Sequence, residues 1–226
     1  MTSKPLPNPS LSHQRVQPAG RLRWQAKRAR IIDASLRHFA EQGYHAARIE
    51  DLSAQLGVAK GSIFHYFGSK GGLFVEAYKQ AVRSFSKYLD CPADVRDRGF
   101  FEILRYWLVN TEHMLREDWI PYRVALLGNY GVDLEIKREI NRFLAAEDPY
   151  GSAAFVGFGL ARGELRSDVD SAMISSILDW TVERFQDALL TEELDPGLFA
   201  HPSIPQKNEA RIHQFLEILR GAIGAR

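Results

Sequence analysis

Cysteine is almost missing from this 226-residue chain: Cys91 is the single instance, which excludes an intramolecular disulfide and any Cys-x-x-Cys metal site. It stands just before Pro92 in an expected interhelical break and reads as an incidental small residue, with a redox role supported by Arg96 and Arg98 as the weaker alternative. Neither a signal-peptide pattern nor a long apolar run is present, so a soluble, cytoplasmic chain with no membrane partner is expected. The seven histidines are scattered without i, i+4 pairing, and no Gly-x-Ser-x-Gly or phosphate-binding loop occurs. The run from Gly157 to Gly163 has the wrong glycine spacing for a dinucleotide fingerprint. No enzyme activity, cofactor or metal is therefore expected. Strand-like alternation and hairpin dipeptides are missing too, which leaves an all-α fold.

Acidic residues are absent from residues 1–20, which hold four of the ten prolines. A disordered basic arm over residues 1–22 is expected, serving either minor-groove contact or solubility. The asymmetry extends further. Residues 1–70 carry 11 Lys and Arg against 4 Asp and Glu, a net of +7, while the remainder carries 18 against 24, a net of −6. A basic first third suits a polyphosphate, and an acidic remainder orients the molecule by repulsion; a solvated basic surface is the plain alternative.

No proline falls between Ala19 and Cys91, and helical periodicity runs through Ile32, Leu36 and Phe39, then Ile49, Leu52 and Leu56, then from Leu73 onward. Gly43 and Gly57 stand where left-handed helix ends are expected. Val58, Ile63 and Phe67 can close a small core between two short helices, leaving Lys60, Ser62, His65 and Tyr66 outward. Two short helices on a glycine turn, with donors and positive charge outward, have the layout of a helix-turn-helix that enters a DNA major groove.

The stretch Lys60-Gly-Ser-Ile-Phe-His-Tyr-Phe-Gly-Ser-Lys70 resembles the TetR family of transcriptional regulators, whose recognition helix typically runs Gly-Val-Ser-Lys-Gly-Thr-Leu-Tyr-His-Tyr-Phe before a Ser-Lys pair. The resemblance covers about residues 24–80. It implies base or phosphate contacts from Lys60, Ser62, Phe64, His65 and Tyr66, close backbone approach at Gly61, and a phosphate contact from Lys70. Arg48 and Lys27 are lesser candidates for the DNA backbone. Four departures stand out. Ala59 replaces the usual Ser or Thr cap, a loss of about 1 kcal/mol of helix stability. Ala47-Arg48 replaces a hydroxyl residue, Phe64 lacks the hydroxyl of the commonest tyrosine, and Gly71-Gly72 replaces a helix-forming Glu and should loosen the fourth helix.

Beyond residue 90 aromatics crowd the chain, and Trp107, Trp119, Tyr122, Phe155, Phe158 and Trp180 are expected to line an effector pocket, with Arg105, His113 and Arg123 as polar candidates. Ser167-Asp-Val-Asp170 reads as a capping-box variant opening a helix over about 168–191, and a last amphipathic helix spans about 207–223. The resemblance implies that these two helices dimerise, through Ile174, Ile177, Phe185, Phe215 and Leu219. It also implies the organisation: a helix-turn-helix DNA-binding domain at 23–72 and a helical effector-binding and dimerisation domain at 73–226. The function implied is that of a one-component regulator, a repressor, that binds a pseudo-palindromic operator as a homodimer and is released by a small hydrophobic or aromatic effector. The alternative is a helical ligand-binding or adaptor dimer with a non-functional helix-turn-helix.

Overall fold

The computed structural model describes residues 18–192, 194–199 and 205–225, with residues 18, 19, 112–116 and 205–207 given through the backbone alone. The first helix, α1 (Pro18–Gln42), buries Ile31, Ile32, Leu36 and Phe39 along one face, as their spacing dictates. α2 (Ile49–Leu56) buries Ile49, Leu52 and Leu56 and carries Glu50 and Asp51 in its first turn, where the helix dipole favours negative charge. Gly57 ends α2 at φ +62°, a left-handed conformation that glycine adopts without a Cβ penalty, and its N–H donates to the Ala54 carbonyl. Val58 and Ala59 complete the turn, and α3 (Lys60–Phe67) follows.

α4 (Lys70–Ser84) opens on Ser69, whose hydroxyl accepts from the Gly72 N–H at 2.9 Å. The expected loosening by Gly71-Gly72 is not what the structure contains. A Cβ on Gly72 would collide with the carbonyl oxygen of Phe67, so glycine there lets the first turn of α4 close against the last turn of α3. Two short helices, α5 (Ser86–Leu89) and α6 (Ala93–Arg98), lead into α7 (Phe100–Glu117) and α8 (Trp119–Tyr130). Then come α9 (Leu134–Glu147), α10 (Ser152–Ala161), α11 (Ser171–Leu190) and α12 (Pro205–Ile223). Among the described residues the one β feature is an isolated bridge between Leu165 and Gly224.

Two expected boundaries shift. α1 begins at Pro18, so residues 18–22 of the expected arm are its first turn, while residues 1–17 lie outside the described residues. Asp170, not Ser167, caps α11, its carboxylate accepting from the Ala172 N–H at 2.9 Å.

The core has two main parts. One gathers α1–α4 with α8 and α9, including an aromatic trio in which Phe39 and Tyr44 each lie 5.1 Å from the Phe74 ring. The other joins α7, α10, α11 and α12. An expected division between residues 72 and 73 thus falls inside α4 and inside one continuous core, because Leu73, Phe74, Ala77 and Tyr78 pack with Tyr122, Val124 and Ile140.

The residues expected at a dimer interface belong largely to the second core. Ile174, Phe185 and Leu219 are buried within the chain, Phe185 and Phe215 stack at 4.1 Å, and Ile177 packs partly buried beside them. Ile174, Phe185 and Leu219 are thus taken up within the chain, whereas Ile177 and Phe215 remain half-buried. The large apolar groups that α11 and α12 turn outward are Met173, Trp180 and Ile218, exposed by 51%, 66% and 74%.

Candidate nucleic-acid interface

Ile63, fully buried, pins α3 to the first core, and Phe64 and Phe67 pack partly against it. This leaves Lys60, Gly61 and His65 exposed, with Ser62, Phe64 and Tyr66 half-buried at the edges. Phe64 therefore divides its ring between the core and the surface, where the Lys60 ammonium stands 5.5 Å from its centroid. Ala59 precedes α3 in extended conformation without a side-chain cap, as its methyl requires.

α1 lies beside α3 and adds to the same surface. The Lys27 ammonium donates to Ser62 Oγ at 3.0 Å and stands 6.0 Å from the Tyr66 ring. Trp24, 46% exposed, places its indole 5.1 Å from that ring. One turn along, the Arg28 guanidinium lies 5.5 Å from the Phe67 ring and pairs with Glu76 of α4. Lys27, Ser62, Tyr66 and Trp24 thus form one continuous patch that two helices hold.

Two of the expected cations are engaged within the chain. Lys60 Nζ donates to Glu50 Oε1 at 2.6 Å, and this hydrogen bond holds the Glu50 carboxyl below its ordinary range. Lys70 Nζ donates to the His45 carbonyl at 3.0 Å, 4.9 Å from the Tyr44 ring; burial lowers its pKa, and Asp133 and Glu50 oppose that shift. Arg48 is exposed at the start of α2, where its carbonyl accepts from His38 Nε2 at 3.0 Å.

The patch has the chemistry of a groove-reading surface: ammonium and guanidinium groups for phosphates, with Ser62, His65 and Tyr66 offering donors toward base edges. Trp24 and Glu50 were missed in the sequence. Trp24 had a signal, an aromatic set in the basic run Arg21–Arg30, whereas the Glu50 contact depends on how α2 crosses α3.

The six aromatics expected to line one pocket fall in separate places. Trp107, Phe155 and Phe158 pack around Cys91, Val95 and Ile103, with Trp107 Nε1 donating to the Leu89 carbonyl at 2.9 Å. Tyr122 is buried in the first core, and Trp119 and Trp180 are 51% and 66% exposed. Helical rotation separates them, since neighbours in sequence point to different cores. A cavity of about 100 Å³ between α7, α11 and α12, lined by Leu108, Val109, Thr111, Gln186, Leu189 and Ile212, includes none of the six. Of the polar candidates, Arg105 lies 3.5 Å from Glu102 on the surface, Arg123 is half-buried, and the side chain of His113 lies outside the described residues.

The model for bacterial regulatory proteins of the tetR family matches residues 31–77, which run from the buried face of α1 into α4. The HTH-type transcriptional repressor AcnR of Corynebacterium glutamicum is 25% identical over 173 residues, 76% of this chain and 86% of its own length. The fatty acid metabolism regulator protein of Bacillus subtilis is 24% identical over 159 residues, 70% of this chain and 80% of its own. Among solved structures, a tetR family transcription regulator from Shewanella sp. PV-4 aligns with a TM-score of 0.63 at 18% identity, covering 88% of this chain and 99% of that one. FadR from Bacillus subtilis, in complex with stearoyl-CoA, aligns at 0.60 and 23% identity over 84% and 96%. The fold of those proteins is the fold described here, including the helical body beyond α4.

Proposed function

We propose, from the tetR-family match over residues 31–77 and the repressors that resemble the chain over most of its length, that it is a transcriptional regulator of the tetR type, a cytoplasmic repressor acting as a homodimer. Two copies of α3 enter successive major grooves of a pseudo-palindromic operator, and a small effector held in the helical body releases them. The observation that carries this reading is the patch on α1 and α3, where Lys27, Ser62, Tyr66 and Trp24 form one surface next to exposed Lys60 and His65. Ser62, His65 and Tyr66 supply base contacts, Lys27, Lys60 and Arg48 supply phosphate contacts, and Gly61 admits the DNA backbone. Lys70 adds a phosphate contact at the start of α4. Met173, Trp180 and Ile218 supply the apolar part of the dimer interface, since they are the large apolar side chains that α11 and α12 leave exposed. An effector acts by binding the DNA-free arrangement more tightly than the DNA-bound one, and shifts the balance by no more than that difference.

Salt dependence of binding to random-sequence duplex DNA tests the assignment without knowledge of the operator. Replacing Lys60 or Lys27 by Ala should each lower the slope of log K against log salt by about 1, whereas Tyr66→Ala should leave the slope nearly unchanged. Unchanged slopes in both lysine variants would remove the α1–α3 patch from the DNA interface.

A further inference from the structure

Cation and anion meet at one point on the surface assigned to DNA. Lys60, the first residue of α3, donates from Nζ to Glu50 Oε1 of α2 at 2.6 Å, and both side chains are about half exposed. The same ammonium stands 5.5 Å from the Phe64 ring centroid, so carboxylate and ring together fix its direction. The neighbouring cations are held differently. Lys27 donates to the Ser62 hydroxyl and Lys70 to the His45 carbonyl, both neutral acceptors. Among the described residues, Lys60 is the one of Lys27, Arg48, Lys60 and Lys70 that is ion-paired with a carboxylate.

Folding does not call for this pair. An exposed ion pair adds little to stability, and Glu50 already suits the first turn of α2, where the helix dipole favours a carboxylate. Asp51, the next residue in that turn, has the same dipole environment and is exposed, yet it forms no ion pair among the described residues. Glu50 instead bridges the turn to the start of α3, with Arg48 and Lys70 also within its electrostatic reach. A carboxylate set among cations that meet DNA opposes binding, because it repels phosphates and holds one ammonium back from them.

We propose that Glu50 is a positioning residue that acts through Lys60 to set specificity for the operator. An ammonium has three N–H donors, so Lys60 can keep its bond to Glu50 and still donate to a phosphate on its open side. α3 brings a phosphate to that side when Ser62, His65 and Tyr66 are seated on their own base edges, since base contacts choose the sequence and phosphate contacts fix the register. On DNA of other sequences the phosphates are met in many registers, and Lys60 must leave Glu50 to follow them. The exchange leaves the carboxylate unpaired beside the DNA backbone, a cost that falls on the wrong partners rather than the right one. Glu50 therefore lowers affinity for DNA at large more than for the operator. This role rests on the DNA interface described under Proposed function.

The test compares the full chain with Glu50→Gln, Asp51→Asn, Lys60→Gln and the double variant Glu50→Gln with Lys60→Gln. Each is titrated over a salt series with random-sequence duplex and with the duplex that the parent enriches by selection. Glu50→Gln should tighten binding to random duplex about fivefold near 150 mM salt and steepen the salt slope by about 1, the effect of one further released counterion. The enriched duplex should gain less than about twofold, so that discrimination falls. Asp51→Asn, an equal change of charge one residue away, should leave discrimination unchanged, and Glu50→Gln should have no such effect once Lys60→Gln is present. Equal tightening by Glu50→Gln and Asp51→Asn, equal tightening of both duplexes, or an effect of Glu50→Gln that persists beside Lys60→Gln would each overturn the role. Failure of the DNA interface itself reads differently, as one salt slope shared by the parent and Lys60→Gln.

Discussion

Small residues around α3 separate stability from DNA contact. At Gly61 a Cβ would meet nothing within 4 Å, so Gly61→Ala should raise stability by up to about 1 kcal/mol through helix propensity. The same methyl stands on the face assigned to DNA, so affinity for duplex DNA should fall; a rise in both quantities would take Gly61 out of the interface. Gly72 behaves in the opposite way, because its Cβ would strike the backbone oxygen of Phe67. Gly72→Ala should cost about 2–4 kcal/mol in denaturant unfolding, whereas Gly71→Ala, which meets the movable side chain of Ile136, should cost far less. Ala59 has the extended backbone of a cap residue without a capping oxygen, and Ala59→Ser should restore about 1 kcal/mol in the same assay. That missing cap was legible in the sequence. The need for glycine at residue 72 was not, since it arises from the angle at which α4 meets α3.

Helix α11 shows how far periodicity reaches at the scale of an element. Its apolar residues announce an amphipathic helix, but they do not say whether the apolar face meets its own chain or a partner, and Ile174 and Phe185, which the pattern alone suits to an interface, are core. Trp180, expected in a pocket from its sequence neighbours, lies on the surface. The acidic row at 179, 183 and 187 is readable as an i, i+4 repeat, but the repeat does not say that Asp187 is buried against Tyr122 of α8 while Asp179 and Glu183 stay exposed. Burial is the first cause raising the pKa of all three carboxyls. A raised carboxyl pKa means that the folded state holds the proton more tightly than the unfolded chain. The stability that each group contributes is therefore present below the ordinary carboxylate range and is lost as pH rises through the raised value. Asp187→Asn, which keeps an acceptor for Tyr122, should raise Tm near pH 8 and change it little near pH 4. Glu50 and Glu76 have lowered values and shift stability the other way, so the comparison is between variant and parent at each pH. Equal Tm differences at both pH values would mean that Asp187 is not the group being desolvated.

At the scale of the whole molecule, the net positive first third and net negative remainder translate into a basic surface on α1 and α3 and a body whose titratable centre is acidic. The helix-turn-helix was legible because its signals are local: a turn glycine, three apolar positions per helix and outward donors. The body was legible as helical only, since which helix faces meet depends on contacts between segments far apart in sequence, such as Tyr122 with Asp187. Trp180→Asp with Ile218→Asp should yield a folded monomer that loses high-affinity DNA binding, read by sedimentation and by DNA titration; a double variant that stays dimeric would place the interface elsewhere. The most direct test of the central claim is selection of random duplex DNA on the full chain at about 150 mM salt, where weak non-specific binding is suppressed. The account predicts enrichment of a palindrome whose half-sites lie about one helical turn, or a multiple of it, apart. A folded, dimeric and ligand-free protein that enriches no sequence would contradict it.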